Sequence, residues 1–370
     1  MRPFTAGPHV IDPPVVLAPM EGVTDRAFRT LVRGLGGCGL TVTEFVSSEG
    51  LTREVESAWK MAELDPDEHP VSIQIYGRCP ERMAAAARHC EALGADLVDI
   101  NLGCPSKRVV SGCAGSALMR EVSVARDIFQ AVSEAITVPM TVKMRLGWDY
   151  DSVNAPEVAA LAVEHGAQMV AVHGRTRTQA YKGHARWDLI RHVRDAVTVP
   201  LLVNGDIVCP DSARRALEAS GADGVMVGRG VMGDPWTLRR IADALAGVPF
   251  VEPTLEERRD VLLEFIDRME RVGGYRTPDG GGAHGDGSPG AGGQARGAVA
   301  PAVLDGRSLV RLKKVVTYFS KGLYNAGRLR DEIQRAGSLD DARVLVRQFF
   351  AALIDDEPRR TWALGMAPSP

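Results

Sequence analysis

Eight short apolar runs recur before residue 230: Val15–Ala18, Leu40–Thr43, Val71–Ile75, Leu97–Ile100, Met140–Met144, Met169–Val172, Leu201–Val203 and Gly224–Val227. Their starts lie 23 to 43 residues apart. Most of the gaps carry an Ala/Leu/Arg/Glu-rich segment of helical period, such as Glu81–Leu93 and Val122–Ile136. Strands alternating with helical segments predict βαβ units and a parallel sheet. Eight such units in about 230 residues fit a closed (β/α)8 TIM barrel better than an open doubly wound sheet. The runs are rich in Val, Ile and Leu, as suits a sheet covered on both faces.

The chain has 370 residues, more than one ordinary core needs, so a smaller appendage is expected beside the barrel. The predicted division is a catalytic barrel over residues 1–245 and a C-terminal helical domain over 246–370. Helical patterns run from Leu255 to Val272 and from Leu309 to Ile354. Between them lies a glycine-rich insert at about 273–302, with 11 glycines among residues 273–297. Such a stretch has too little apolar surface to offset its ordering entropy, and disorder is expected.

Six scattered cysteines with no C-x-x-C pair argue against a zinc ribbon or a thioredoxin-type motif, and no metal is expected. The N-terminus lacks the apolar core of a signal peptide, and no apolar run approaches the ~18 residues of a membrane helix. A cytoplasmic protein is expected. The net charge of −3 does not suit a uniformly basic nucleic-acid binder. The charge is uneven, however. Residues 303–370 carry 12 basic and 8 acidic side chains, and Arg307 to Arg330 holds seven basic residues and no acidic one.

Polar residues cluster at the ends of the strand-like runs, where barrels gather their catalytic groups. Asp99-Ile100-Asn101-Leu102-Gly103-Cys104-Pro105 places a cysteine where a strand gives way to a loop. An ordinary thiol keeps most of its protons at neutral pH and can donate one; the alternative is a buried structural cysteine. Asn204-Gly205-Asp206 and Gly228-Arg229-Gly230 end the last two runs. Loops there frequently bind phosphate, with glycines for close backbone approach and arginine as a charged fork, although a lone glycine pair is more often only a turn. Lys143 within a strand must face the barrel mouth or be paired, and could stabilise a flavin anion or form a Schiff base. His173 could donate to a ligand or be a satisfied structural histidine. Converging on one mouth, Gln74, Lys143 and His173 suggest a cradle for flavin mononucleotide.

These motifs, together with Ala18-Pro19-Met20-Glu21-Gly22-Val23-Thr24-Asp25, Gly112–Leu118, Val142–Arg145 and Val172–Arg177, resemble the tRNA-dihydrouridine synthases in order and spacing from Val15 to Trp236. Thr43–Ser48 points to the bacterial B-type branch. Two departures stand out: Leu102 where that family often has Met, and the glycine-rich insert. The resemblance implies FMN as cofactor, NADPH as electron donor, hydride delivery to C6 of a tRNA D-loop uridine, and protonation of C5 by Cys104. It further implies that Ala18, Pro19 and Met20 line the flavin, that Gln74, Lys143 and His173 contact its ring, and that Asn204, Gly205, Asp206, Gly228 and Arg229 hold its ribitol and phosphate. Asn101 would read the uracil edge, with Arg175 or Arg177 holding the nucleotide. Arg311, Lys313, Lys314 and Lys321 resemble part of the family's RNA-binding helical domain. No DNA, membrane or obligate protein partner is expected. Three other readings stay open at this point: an FMN barrel reductase of a small pyrimidine, a non-catalytic RNA-binding barrel, and a Schiff-base aldolase using Lys143.

Overall fold

The computed structural model of the chain describes residues 1–273 and 306–355. An antiparallel hairpin, β1 (Phe4–Ala6) and β2 (His9–Ile11), comes first. The remaining strands are β3 (Val15–Leu17), β4 (Leu40–Val42), β5 (Val46–Ser47), β6 (Val71–Tyr76), β7 (Leu97–Leu102), β8 (Met140–Arg145), β9 (Ala167–His173), β10 (Leu201–Asn204) and β11 (Gly224–Val227). All but the two-residue β5 form one closed parallel barrel, because β11 pairs with β3 and β4 pairs with β6. Every apolar run singled out in the sequence is a barrel strand, and β5 adds a short pairing to the end of β6.

Local chemistry explains where the surrounding helices begin and end. Asp25 caps the helix Arg26–Gly34 by accepting from the Phe28 N–H at 2.8 Å. Pro80 and Pro210 open the helices Pro80–Ala92 and Pro210–Ser220, where a missing N–H costs nothing. Gly221 and Gly247 close two helices in left-handed geometry at φ 67° and 74°.

Side chains alternate across each strand, so one set fills the barrel interior. Toward its N-terminal end that set is apolar: Val16, Leu40, Leu97, Met169, Leu202 and Met226. The β1–β2 hairpin, which the sequence reading had not anticipated, adds Phe4 and Ile11 to this cluster and closes that end. A Cβ on Gly224 would come within 2.9 Å of the Phe4 ring, so this glycine makes room for the plug. Toward the other end the interior turns polar, with Gln74, Asp99, Asn101, Thr141, His173 and Asn204 all buried.

The chain divides into compact units at Pro253/Thr254, eight residues beyond the expected boundary. Residues 246–253 stay with the barrel unit because Val248 N–H bonds the Asp243 carbonyl at 2.8 Å, Arg240 pairs with Glu252, and Arg240 stacks on Phe250. The second unit contains the helices Leu255–Gly273, Gly306–Phe319, Ala326–Arg335 and Leu339–Ile354, which bury Phe265, Leu312, Val316, Leu329, Val346 and Phe350. Most of the glycine-rich insert expected to be disordered lies outside the described residues. Among the described residues no helix is long and apolar enough to cross a membrane.

Candidate active site

Strand register brings the polar residues together. Gln74 lies opposite Asp99, Asn101 opposite Lys143, Arg145 opposite His173, and His173 opposite Asn204. Five neighbouring strands, β6 to β10, thus deliver their side chains to the C-terminal mouth of one barrel.

Cys104 follows β7 and is half-buried. Its backbone N–H and that of Gly103 donate to Asn101 Oδ1 at 2.9 and 3.0 Å, and its Sγ lies 3.4 Å from Ser106 Oγ. The Cys104 carbonyl accepts from Ser116 Oγ at 2.8 Å, which ties the following loop back to the Cys104 backbone. Gly115, at φ 60°, is required there: a Cβ would sit 3.1 Å from the Cys104 carbonyl oxygen and 2.8 Å from Val109. The loop packs on Phe45 and Tyr76.

The Ala18-Pro19-Met20 turn is held at both ends. Ala18 N–H bonds the Val227 carbonyl at 2.8 Å, and Thr24 Oγ1 accepts from Met20 N–H at 2.9 Å. Arg29 reaches the Thr24 carbonyl while paired with the fully buried Glu68 at 2.8 Å.

Four cations and two carboxylates meet in the mouth. Burial is the main reason Lys143 falls to about 8, helped by Arg145 and opposed by Asp99. Its ammonium has no hydrogen-bond partner among the described residues. Burial likewise lowers Arg145 to about 10. Burial first, then the charges of Arg145, Lys143, Arg175 and Arg229, push His173 well below its ordinary value, so the ring is neutral. Arg175 Nη1 stands 3.4 Å from His173 Nε2. A guanidinium only donates, so Nε2 accepts and Nδ1 carries the proton. Burial raises Asp99, against the hydrogen bonds from Gln74 and Thr141. Asp206 goes the other way: burial would raise it, but bonds from Arg175 and the Ala185 N–H, with the charges of Arg175 and Arg229, hold it below the carboxylate range.

Two arginines make hydrogen bonds that hold the loops of the mouth. Arg145 donates to the carbonyls of Gly103, Thr176 and Ala180 at 2.8–2.9 Å. Arg175, expected to hold the nucleotide, is 2% exposed and spends its donors on Lys182 O, Gly183 O and Asp206. Asp206, expected at the ribitol and phosphate, accepts from Arg175 at 2.7 Å and steadies Arg229 at 3.3 Å. Gly205 and Gly230 are also required by packing. A Cβ on Gly205 would strike the His173 ring at 2.5 Å, and one on Gly230 the Ile207 carbonyl at 2.8 Å. Gly228 has only Ala18 and Met20 within reach, both at 3.6 Å, and leaves the backbone open. Asn204 donates to the Met226 carbonyl at 2.7 Å.

Arg177 and Arg120 each lie over the Trp148 ring, at 4.6 and 4.8 Å, and the exposed Tyr181 lies 4.9 Å from Arg229. In the second unit Arg311 and Lys313 are half-buried, and Lys314 and Lys321 are exposed. Lys313 Nζ donates to the Gln334 carbonyl at 2.8 Å, so it caps a helix as well as carrying charge. Lys313, Lys314 and Tyr318 line a groove of about 340 Å³.

Asp99 and Arg145 belong to the mouth as well, although their sequence motifs alone did not mark them as site residues. The signal was their spacing: each lies two residues from a recognised site residue on the same strand, and therefore on the same face.

The sequence profile of the dihydrouridine synthase (Dus) family matches residues 16–277. The chain belongs to the dihydrouridine synthase family. Relatives in this family include the tRNA-dihydrouridine synthase B of Xanthomonas axonopodis pv. citri, 36% identical over 95% of this chain and 97% of the relative. The probable tRNA-dihydrouridine synthase of Rickettsia typhi is 46% identical over 69% of this chain and 78% of the relative. The tRNA-dihydrouridine synthase B of Pseudomonas syringae pv. tomato is 44% identical over 72% and 79%. Among solved structures, a 2-naphthoyl-CoA reductase complex superposes with a TM-score of 0.49 at 13% identity, covering 67% of this chain and 52% of that one, which is too loose to add to the family assignment.

The mouth of this synthase-family barrel fits an anionic ring system with a phosphate. It holds four cations against two carboxylates, one ammonium without a hydrogen-bond partner, a neutral histidine with its proton on Nδ1, and an exposed Arg229 beside open backbone at Gly228. No cluster of three or more His, Cys, Asp or Glu suited to a metal occurs among the described residues.

Proposed function

We propose that the chain reduces D-loop uridines of tRNA to 5,6-dihydrouridine, using FMN and NADPH. The observation that carries the reading is the thiol of Cys104, held by its own backbone amide beside a mouth with surplus positive charge. When bound and reduced by NADPH, FMN would supply the hydride for C6 of the base. Ala18, Pro19 and Met20 would line its ring, with Lys143 opposite the ring's anionic edge and His173 Nδ1–H donating to it. Gly228 and Arg229 would hold the phosphate, Asn204 and Gly205 would flank the ribitol, and Asp206 and Arg175 would keep Arg229 in place. Cys104 donates its proton to C5 from the loop that Ser116 ties back to its backbone.

The target base must leave the tRNA stack to enter a barrel mouth, which resembles base flipping. Arg177 on the Trp148 shelf would meet the nucleotide backbone, and Lys314 and Lys321 would meet RNA phosphates elsewhere. A cytoplasmic location follows from a tRNA substrate.

The test is direct. Purified protein should be yellow and release FMN on denaturation, and with NADPH it should raise the dihydrouridine content of tRNA from a strain lacking the activity. Nucleoside analysis showing no dihydrouridine, or reduction only of a free pyrimidine, would refute the reading.

A further inference from the structure

Arg145 and Arg175 spend their donors on loop carbonyls and on Asp206, but two other arginines at this end of the barrel spend none. The guanidinium carbons of Arg177 and Arg120 lie 4.6 and 4.8 Å from the centroid of the Trp148 ring. Among the described residues neither guanidinium makes a hydrogen bond or an ion pair, and Arg177 Nε is buried without a partner. Arg120 is exposed, and Arg177 and Trp148 are half-buried.

Three loops that leave the C-terminal ends of barrel strands build this arrangement. The segment after β7 carries Cys104, is tied back to its carbonyl by Ser116, and runs through Gly115–Met119 to Arg120. The loop after β8 carries Trp148, and its Asn154 Nδ2 donates to the Met119 carbonyl at 2.7 Å, next to Arg120. The loop after β9 carries Arg177, whose N–H bonds the Gly147 carbonyl at 3.0 Å, while Thr178 N–H bonds the Trp148 carbonyl at 2.9 Å. Backbone contacts therefore set the ring and both arms together. Arg177 is also close to the chemistry. Burial chiefly, and then the charges of Arg175 and Arg177, lower Arg145 against Tyr181 and Cys104, and Arg145 Nε bonds the carbonyl of Gly103, the neighbour of Cys104.

A guanidinium over an aromatic ring uses its flat face, and its N–H edge stays free to donate. The ring also holds the long side chain in place, so less freedom is lost when a ligand arrives. Two positive charges on one ring with no acid beside them repel each other, and an anion between them would relieve the cost. Phosphate suits such edges because its oxygens accept from arginine in pairs. We propose that Arg120 and Arg177, held on Trp148, form a two-armed clamp for one RNA phosphate beside the target nucleotide. The inference rests on the uridine-reductase reading above, in which only Arg177 meets the nucleotide backbone. RNA is the fitting source of the phosphate because the same two loops expose Tyr150 and Tyr181, at 55% and 56%, as faces on which bases stack.

The probe is an unmodified tRNA transcript, bound to the holoenzyme at a series of salt concentrations. Arg120→Gln and Arg177→Gln should each weaken binding about 5–20-fold, and the double variant should lose little more than either alone, because both arms hold one phosphate. The double variant should flatten the salt slope by about one, whereas two separate phosphates would flatten it by about two. Trp148→Leu keeps both charges, so it should weaken binding at least about threefold with the slope unchanged. A neutral methylphosphonate beside the uridine that the parent reduces should cost the parent the same about 5–20-fold and the double variant less than about twofold. Flavin content and the NADPH concentration that half-saturates flavin reduction should stay within about twofold throughout. Unchanged tRNA affinity in the double variant, a slope loss of about two, or a methylphosphonate that costs the parent nothing overturns the proposal. Weakened NADPH with unweakened tRNA also overturns it, and assigns the phosphate to the nicotinamide cofactor instead. Should Trp148→Leu fail to fold, the arginine variants decide the matter. A parent that binds tRNA but forms no dihydrouridine refutes the functional reading instead, and the affinities and salt slopes still decide the clamp.

Discussion

Removing the charge of Lys143 should stabilise the apoprotein while weakening its hold on flavin. The lysine falls from 10.5 to about 8 because folding buries its ammonium without a hydrogen-bond partner. The unfolded chain therefore binds more protons between those two values, and stability rises with pH across that window. Below about 8 the cost is present in full, and above 10.5 it is gone. A shift of this size corresponds to about 3 kcal/mol at neutral pH. The side chain is only half-buried, and its loss leaves Asp99 with less compensation, so Lys143→Met should gain about 1–2 kcal/mol net. For a domain of this size that is a rise of about 3–6 °C in Tm. Calorimetry of the flavin-free protein at pH 7 and pH 10 is the assay, and most of the gain should have vanished at the higher pH. FMN affinity should fall about 10–100-fold, the scale of one charge-assisted hydrogen bond. An apoprotein variant that melts at or below the parent temperature at pH 7, or a gain that persists unchanged at pH 10, would refute the reasoning.

Cys104→Ala should retain flavin and NADPH oxidation but lose about 10²–10⁴-fold in uridine reduction, whereas Cys113→Ala on the same loop should be nearly silent; rapid-mixing kinetics of the two half-reactions separates them. Glu68→Gln leaves the buried Arg29 without its charge partner and should cost about 3–5 kcal/mol in urea unfolding; a loss under about 1 kcal/mol would show that the pair is dispensable. Lys314→Ser with Lys321→Ser should raise the KM for tRNA and flatten the salt dependence of binding, each lost phosphate contact reducing the slope by about one, with flavin reduction unchanged. Binding that matches the parent protein at every salt concentration would place the RNA contacts elsewhere.

Much of this molecule is legible in its sequence because the relevant physics is local. Strands buried on both faces are mostly apolar, so eight of them announce themselves as runs, and the helices between them follow from period and capping residues such as Asp25 and Pro80. Cys104, Lys143, His173 and Arg229 stand out because a polar residue at a strand end needs a reason to be there. The β1–β2 hairpin escaped because Phe4–Ala6 and His9–Ile11 each leave Thr5 or Val10 exposed and so form no continuous buried apolar run like those of β3 and β4. Its value lies in Phe4 and Ile11 filling a barrel end that exists only after closure.

The direction of each polar group was decided only by the tertiary structure. Nothing in the spacing of Gln74, Asp99, Asn101 and Thr141 says that four residues from three strands form one hydrogen-bonded line, since strand register alone makes them neighbours. Arg175 reads as a ligand in sequence, and only the structure shows that its donors meet carbonyls of its own loop and a carboxylate from the next strand. Residue type and strand position specify which groups reach the mouth. Burial, and the pairing it forces on every polar atom, then determines which of them remain free to meet a ligand.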